Sequence, residues 1–350
     1  RSFKLPIFLS ISLITNFYTG YMMCLFVALY TFYVVFSKKA SLKDYLLKIG
    51  RVALFALIGV GIAAFWLLPV FSALLESKAS AGSTFAWSWD FVNDIVAMPQ
   101  KFILGSFGEK EWGDPKALPQ LYIGGLALFG LFTFFAKKEI TLLKKLSAIV
   151  VLLVLFLSFS IQGFDQIWHM GQRPVGFFFR NSWVANSFML VLASESLLQW
   201  KDKFRLSEFL LSIFGFGSIL VLSTQRSLQF VETPQKILAF CFWATILLAF
   251  FFRKVDKVRR LQLVAGVVII ELMISSFVGF KRVPFFIGNE GLKNQMEYAT
   301  AFDQEGYSSS KAFTRMEMHK GLSHANFPIA YNYNGVSHFT SSLEYSLIEE

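Results

Sequence analysis

Of the 350 residues, 55% are hydrophobic and only 16% are charged, whereas soluble globular domains carry about 25% charged residues. This deficit excludes an ordinary soluble domain. The net charge of +10 does not indicate a nucleic-acid partner, because the basic residues lie in short segments between apolar runs. The two cysteines, Cys24 and Cys241, lie inside such runs and predict neither a disulfide nor a zinc site.

Continuous apolar runs follow one another along most of the chain. A helix crosses the bilayer core with about 20 apolar residues, and continuous runs differ from the alternating segments of about ten residues in a membrane barrel. The sequence therefore predicts an all-α polytopic membrane protein with about nine transmembrane helices. The first run is the weakest, and is either a cut helix or one leg of a re-entrant pair with the second. The runs are Leu5–Phe17, Tyr18–Phe36, Val52–Leu75, Leu121–Ala136, Leu146–Ser160, Trp183–Leu198, Leu206–Thr224, Ile237–Phe252 and Leu261–Phe280.

The connections between the runs alternate in charge. Cytoplasmic loops carry an excess of Lys and Arg, so this alternation predicts a cytoplasmic N-terminus and an outer side for the chain from Lys281 onward. Binding of anionic lipid head groups is a second interpretation of the basic clusters. The basic connections are Lys38–Arg51, Lys137–Lys145, Lys201–Arg205 and Arg253–Arg260, and the mixed ones are Ser77–Gln120, Ile161–Asn181 and Gln225–Lys236.

Two regions are expected, a multi-pass membrane domain over residues 1–280 and a water-facing region over residues 281–350. The second is polar, and Asn334-Gly335 lies between two short segments that suit a β-hairpin. We therefore expect the start of an extracellular β-containing domain. Because the chain begins at Arg1 without Met and shows no closing element at Glu350, we interpret it as a fragment that lacks its N-terminus and is truncated in this domain.

The mixed connection after the fifth run suits a lipid phosphate. It reads QGFDQIWHMGQRPVGFFFR from Gln162 to Arg180, and a guanidinium at head-group depth can bind a phosphate through two hydrogen bonds. An interfacial loop with anchoring aromatic residues and snorkelling arginines is the alternative. The residues predicted to bind substrate here are Trp168, His169, Gln172, Arg173 and Arg180.

The mixed connection after the third run combines carboxylates with tryptophans. Asp90 and Asp94 lie near Trp87 and Trp89, and such carboxylates suit a sugar or a divalent cation. They would share one face if Phe91–Ala97 were helical, and a solvated amphipathic surface helix is the alternative. We predict Asp90 and Asp94 as substrate-binding residues and no metal site, with a divalent cation as the one candidate cofactor. No motif of a soluble enzyme is present.

Two glutamates lie within or near apolar runs. A carboxylate inside a membrane indicates either a functional site or a hydrogen bond between helices, and Glu271 lies deeper in its run than Glu195. Two runs also contain closely spaced glycines, Gly59 to Gly61 and Gly215 to Gly217. Broken helices and buried carboxylates are typical of transporters.

Three motifs resemble the bacterial YfhO family: NFYTGYM at Asn16–Met22, LPQLYIG at Leu118–Gly124 and QRPVGFFFR at Gln172–Arg180. The resemblance covers most of the chain. It implies a glycosyltransferase of the GT-C class in the bacterial plasma membrane, with membrane lipids around it and no nucleic acid. The expected reaction moves a sugar from a polyprenyl-phosphate donor to a cell-envelope polymer, such as lipoteichoic acid, on the outer face.

The resemblance assigns no catalytic residue. In that class an acidic residue of the first outer loop serves as base or metal ligand, and that loop would precede Arg1. Only Arg173 and Arg180 match positions that face a lipid phosphate. A membrane transporter or lipid flippase is the principal alternative, and a non-catalytic assembly protein is a third.

Overall fold

The computed structural model describes residues 3–75, 87–107, 117–171, 178–200, 204–225, 231–251 and 256–282, together with Glu297. These residues form ten α-helices and a 3₁₀ helix at Ile95–Phe102. Within them the sole β-pairing is an isolated antiparallel bridge between Phe91 and Ile161. The expected hairpin at Asn334-Gly335 lies outside the described residues. The helices are α1 Lys4–Thr15, α2 Phe17–Phe36, α3 Leu42–Leu75, α4 Gly125–Ala136, α5 Leu142–Ser160, α6 Gln162–Trp168, α7 Ser182–Leu198, α8 Leu206–Gln225, α9 Thr233–Phe251 and α10 Lys257–Arg282.

Of the helices that the structure describes, six are long and apolar enough to cross a membrane: α2, α3, α5, α8, α9 and α10. The helices α1, α4 and α7 are apolar but have 12, 12 and 17 residues, below the usual length of about 20. The prediction of an all-α protein with many membrane-spanning helices is confirmed for this part of the chain. The count of nine spans stays a prediction.

Two compact units are distinguished by their internal contacts. One comprises residues 1–67 and 84–283, and the other comprises residues 68–83 and 284–350. Of the second unit, the structure describes the last turns of α3 and Glu297. All contacts discussed below belong to the first unit.

The first two helices form a tight hairpin. Asn16 ends α1, and its side-chain oxygen caps α2 by accepting hydrogen bonds from the backbone N–H groups of Tyr18 at 3.1 Å and Thr19 at 3.0 Å. Such a cap satisfies donors that a helix start otherwise leaves open. The helices then approach closely at Gly20, where a Cβ atom would lie 2.8 Å from the Leu13 Cα. A single capping residue therefore reverses the chain.

The paired glycines do not interrupt their helices. α3 continues through Gly59, where a Cβ atom would lie 2.9 Å from the carbonyl oxygen of Pro6 on α1. α8 continues through Gly215, where a Cβ atom would lie 2.5 Å from the Phe132 ring of α4. The two runs, whose glycines left open a transporter with broken helices, therefore form continuous helices. Gly59 and Gly215 instead admit a neighbouring helix, as small residues do in membrane proteins.

The short helix α4 lies at the centre of the first unit and packs against α7, α8 and α9. Its Phe134 is fully buried with Phe188 of α7 in one apolar cluster. On another side, Phe129 stacks on Phe250 of α9 with ring centroids 5.4 Å apart. This short helix is therefore surrounded by protein rather than lipid over most of its surface.

The connections between helices gather at two ends, which we call the Arg180 end and the Lys137 end. At the Arg180 end, the Tyr21 hydroxyl of α2 donates to the carbonyl oxygen of Ile167 at 2.7 Å. At the Lys137 end, Arg205 donates to both carboxylate oxygens of Glu139, at 2.9 and 3.4 Å. The basic connections that the structure describes lie at the Lys137 end, and the mixed ones lie at the Arg180 end.

Candidate functional site

Two of the mixed connections, after the third and the fifth apolar run, are joined at the Arg180 end. The backbone N–H of Val92 donates to Ser160 O at 2.9 Å, and that of Gln162 donates to Asp90 O at 3.0 Å. The N–H of Gly163 donates to Ser88 O at 2.9 Å. This short antiparallel pairing places the tryptophan-containing segment beside the helix α6.

An aromatic surface forms where the two segments meet. The rings of Trp87 and Trp89 lie 5.2 Å apart, and Phe164 of α6 lies 5.2 Å from Trp87. Trp89 is 66% exposed, so the surface faces outward. A Cβ atom on Gly163 would lie 2.8 Å from the Trp87 ring, so a larger residue there would displace the tryptophan.

The two candidate carboxylates do not share a helix face. The 3₁₀ helix begins only at Ile95, and Asp94 is its N-cap, accepting a hydrogen bond from the Val96 N–H at 3.0 Å. Asp90 lies in the extended segment before it, where its carboxylate accepts from the Ser88 hydroxyl. The expectation of one helix over Phe91–Ala97 was wrong, because an aspartate cap favours a helix that starts after it.

His169 follows α6 and has a defined tautomer. Its Nδ1 lies 2.8 Å from the backbone carbonyl oxygen of Asp165 and 3.4 Å from the Asp165 carboxylate. A carbonyl oxygen only accepts, so Nδ1 carries the hydrogen and Nε2 of the neutral ring carries the lone pair. Nε2 is buried and has no hydrogen-bond partner among the described residues. Burial lowers the pKa of His169 below its ordinary value, and the charge of Arg180 lowers it further.

Arg180 lies beside this histidine, and Tyr18 connects the two residues. The guanidinium carbon of Arg180 lies 5.1 Å from the centre of the Tyr18 ring, and the His169 ring lies 6.0 Å from the same ring. Arg180 is exposed while Tyr18 is half-buried. A cation is attracted to the face of an aromatic ring, so the Tyr18 ring favours this position of the guanidinium before α7.

The other residues of the predicted substrate site are placed as follows. Trp168 is buried in the apolar cluster around α5 and α7, which leaves its ring no contact with a ligand in this conformation. Gln172 and Arg173 lie outside the described residues. Tyr18 and Asp165 were not predicted, although Tyr18 belongs to the Asn16–Met22 motif and Asp165 precedes His169 by four residues, the spacing of one helical turn.

The deep glutamate Glu271 of α10 caps the start of α4. Its Oε1 accepts hydrogen bonds from the Gly125 N–H at 2.8 Å and from the Tyr122 hydroxyl at 2.9 Å. Gly124, with φ +85°, turns the chain into the helix at this point. A carboxylate at a helix N-terminus is stabilised by the helix dipole. One of the two donors, Tyr122, therefore belongs to the LPQLYIG motif, and the other, Gly125, directly follows it.

Glu195 is paired at the opposite end. Its Oε2 accepts a hydrogen bond from the Tyr33 hydroxyl at 3.0 Å and forms an ion pair with Lys144 of α5. The three residues come from α7, α2 and α5. This arrangement fits a bond that joins helices near the Lys137 end, in agreement with the simpler of the two interpretations of this carboxylate.

The chain matches the sequence profile of the family described as "Bacterial membrane protein YfhO" over residues 1–349. The chain belongs to the YfhO family. Neither the curated proteins nor the solved structures contain a significant match to it. With six described helices suited to cross a membrane, this YfhO-family chain is a multi-pass membrane protein.

Two of the family-like motifs meet in this YfhO-family chain, and the remaining one contacts a buried glutamate. Tyr18 of the first motif lies under Arg180 of the third, and Tyr122 of the second contacts Glu271. Among the described residues, no group of three or more His, Cys, Asp and Glu side chains is arranged to hold a metal ion. Among the described side chains, the Arg180 end brings together a cation, a histidine and aromatic rings.

Proposed function

We propose that the protein transfers a sugar from a polyprenyl-phosphate donor to a cell-envelope polymer, such as lipoteichoic acid, on the outer face of the bacterial plasma membrane. The observation that carries the proposal is the grouping of Arg180, Tyr18 and His169 at one end of the membrane-spanning helices. The guanidinium suits a lipid phosphate, and the histidine suits a hydroxyl group. Membership of the YfhO family agrees with a membrane location.

In this reaction the bond between the anomeric carbon and the phosphate oxygen breaks, and polyprenyl phosphate leaves with the electron pair. A hydroxyl oxygen of the acceptor forms the new bond to the anomeric carbon. The hydroxyl proton passes to Nε2 of His169, which carries the lone pair. A buried group without a partner costs about 1–3 kcal/mol, so the open position at Nε2 marks where an acceptor hydroxyl would bind.

Arg180, with Arg173, would hold the donor phosphate in this scheme. Arg180 is exposed next to the start of α7, at the depth where a lipid head group lies if α7 enters the membrane there. The positive charge offsets the negative charge that the leaving phosphate gains as the bond breaks. The exposed rings of Trp87 and Trp89 offer a surface for the sugar, and the backbone of Asp90 next to them pairs with Gln162 at the start of α6.

For the topology, we propose that all nine apolar runs cross the membrane with a cytoplasmic N-terminus and an outer C-terminal region. The described parts of successive connections lie alternately at the Arg180 end and the Lys137 end, which supports this proposal. The Lys137 end carries the basic connections, and basic loops favour the cytoplasm. The Arg180 end would then face outward, where a donor and a polymer can meet.

Opposite labelling of two introduced cysteines tests this topology. After replacement of Cys24 and Cys241 by alanine, a cysteine at Ser83 should react with an impermeant thiol reagent on intact cells. A cysteine at Ser41, in the basic connection between α2 and α3, should react only after the membrane is permeabilised. Labelling of Ser41→Cys on intact cells would contradict the assignment.

A transporter or lipid flippase is the second candidate, and Glu271 is the observation that favours it. The 12 residues of α4 rise about 18 Å, less than the hydrocarbon thickness of about 30 Å. Its N-terminus points at a carboxylate inside the bundle, and discontinuous helices with such termini form the substrate sites of transporters. Cleavage of the donor separates the two functions, because a transporter moves its substrate without breaking it.

Glu271→Gln and Glu271→Ala distinguish a structural carboxylate from one that carries protons or ions. The amide oxygen of glutamine can still accept from Gly125 and Tyr122, so Glu271→Gln should fold and function. Alanine leaves the buried Gly125 N–H without its acceptor, and should lower the stability by about 1–3 kcal/mol, measured as a lower thermal unfolding temperature in detergent. A well-folded but inactive Glu271→Gln protein would favour the transporter.

A further inference from the structure

A buried arginine at the Lys137 end has no acidic partner among the residues that the structure describes. Arg260 lies in the first turn of α10 and is 6% exposed. Its Nε and Nη1 groups have no hydrogen-bond partner within the described parts of the chain. A guanidinium is always protonated, and a buried charge without a partner is strongly unfavourable. The position therefore calls for an anion.

Aromatic rings and further cations surround this guanidinium. The guanidinium carbon of Arg260 lies 5.3 Å from the centre of the Trp200 ring, and Nζ of Lys257 lies 5.5 Å from it. Trp200 stacks on Phe204 at 6.0 Å, and Nζ of Lys137 lies 5.2 Å from the Phe204 ring. The indole N–H of Trp200 is also without a partner among the described residues. Three cations thus lie around one pair of rings.

The nearby described carboxylates are engaged elsewhere. Asp256 accepts a hydrogen bond from the Val258 N–H at the start of α10. Glu208 accepts from the Arg205 N–H at 3.4 Å and lies near Lys137. Glu139 binds the Arg205 guanidinium. None of these described carboxylates forms an ion pair with Arg260, so the buried charge of Arg260 is not neutralised by any of them.

We propose that Arg260, Lys257 and Trp200 bind the phosphate of an anionic phospholipid. A guanidinium and a phosphate fit each other through two hydrogen bonds. Tryptophan is enriched at head-group depth, and its free N–H can donate to another head-group oxygen. Basic pockets between membrane-spanning helices are known to bind anionic head groups. The site lies where α10 begins, next to the acyl-chain region that its apolar residues face, which suits a lipid rather than a soluble phosphate.

This proposal is independent of the sugar-transfer reaction, and it is tested by lipid binding to the purified full-length protein. Native mass spectrometry with phosphatidylglycerol and phosphatidylcholine should show a preference for the anionic lipid. Arg260→Gln should weaken phosphatidylglycerol binding at least tenfold, and Arg260→Lys should weaken it by less. Arg259→Gln is the matched control, because Arg259 is the adjacent residue, has the same charge and is exposed; it should change binding less than twofold.

The thermal unfolding temperature of the protein in lipid vesicles is a second measurement, and the direction of its change is predicted. Phosphatidylglycerol should raise the unfolding temperature of the wild-type protein relative to phosphatidylcholine, and Arg260→Gln should lose this difference. If Arg260→Gln does not fold, Lys257→Gln and Trp200→Phe provide the same comparison, each with at least a threefold loss of phosphatidylglycerol binding.

Three outcomes would overturn the lipid site. Wild-type binding in Arg260→Gln, or in both substitute variants, would show that these residues hold no lipid. An equal loss in Arg259→Gln would show general electrostatic attraction. Displacement of the bound lipid by millimolar inorganic phosphate or glycerol phosphate would show a site for soluble phosphate instead.

Discussion

Replacing Arg180 by alanine is expected to lower the affinity for a polyprenyl-phosphate-linked sugar about tenfold to hundredfold. Loss of a hydrogen bond to a charged group costs about 1.5–3 kcal/mol. The effect should be near the upper part of this range, because the Tyr18 ring at 5.1 Å already orients the guanidinium and little is lost in ordering it. Donor titration with the full-length protein in proteoliposomes measures the change.

Arg180→Lys and the corresponding Arg173 variants define the contact further. Lysine keeps the charge but loses the planar fork, so Arg180→Lys should fall between wild type and alanine. Arg205→Ala is the matched control, since Arg205 binds Glu139 at the Lys137 end and should leave donor dependence unchanged. If all the Arg173 and Arg180 variants keep the wild-type dependence on donor concentration, these arginines do not bind the donor phosphate. The Gln162–Arg180 connection then serves only as an interfacial anchor.

Replacing His169 by asparagine should lower the turnover number about 10²- to 10⁴-fold, the usual contribution of a general base, with little change in the donor KM. The asparagine side-chain N–H can replace the Nδ1 donor to Asp165 O, so the local fold should remain. What it cannot replace is the Nε2 lone pair. Steady-state kinetics of folded His169→Asn protein measures the effect.

The dependence of activity on pH distinguishes a catalytic base at His169 from a purely structural histidine. The neutral form of His169 is active, so activity should fall as the pH drops through its pKa. Burial lowers that pKa below the ordinary histidine value, which extends activity to lower pH. The groups that face the ring are Asp165 of α6, Tyr18 of α2 and Arg180 before α7, and the last turn of α5 adds no titratable group.

His169→Asn should lose this acid limb, whereas Tyr21→Phe should keep it. Tyr21 binds the backbone of α6 at Ile167 and has only a structural role, so its replacement is the matched control. An unchanged acid limb in His169→Asn would assign the proton transfer to another residue.

The membrane-spanning helices were largely predictable, because burial in lipid imposes a long apolar run whatever the neighbours are. The run Tyr18–Phe36 became α2 at Phe17–Phe36, and Leu146–Ser160 became the greater part of α5. The basic start of α5 was missed, since Lys144 and Lys145 interrupt the apolar pattern. Lys144 is accommodated in the helix by its ion pair with Glu195, a contact 51 residues away in sequence.

Features that depend on contacts between distant segments were not predictable. The pairing of Val92 with Ser160 at the end of α5, and of Asp90 with Gln162 just after it, is not indicated by any periodicity or motif in either segment. The close approach of Gly59 to Pro6 and of Gly215 to Phe132 requires knowledge of which helices are neighbours. In the sequence, such glycines resemble helix breaks.

The candidate site was predicted in part. His169 and Arg180 were chosen because their chemistry suits a lipid phosphate, and they do lie around one ring. Tyr18 supplies that ring but was not predicted. It lies in an apolar run that contains many aromatic residues, so its presence there did not indicate a functional role. The Asp94 carboxylate caps a helix, a role that the sequence did not distinguish from ligand binding, and its predicted contact with substrate stays a prediction.

The central claim, sugar transfer from a polyprenyl-phosphate donor, is tested most directly by following both parts of that donor. The full-length protein is reconstituted in proteoliposomes with a polyprenyl-phosphate-linked sugar that carries separate labels on the sugar and the lipid, and polymer acceptor is added outside. We predict that free polyprenyl phosphate forms as sugar appears on the acceptor, and that His169→Asn prevents both. Donor that reaches the opposite leaflet intact, or that is left unchanged by active protein, would contradict the account.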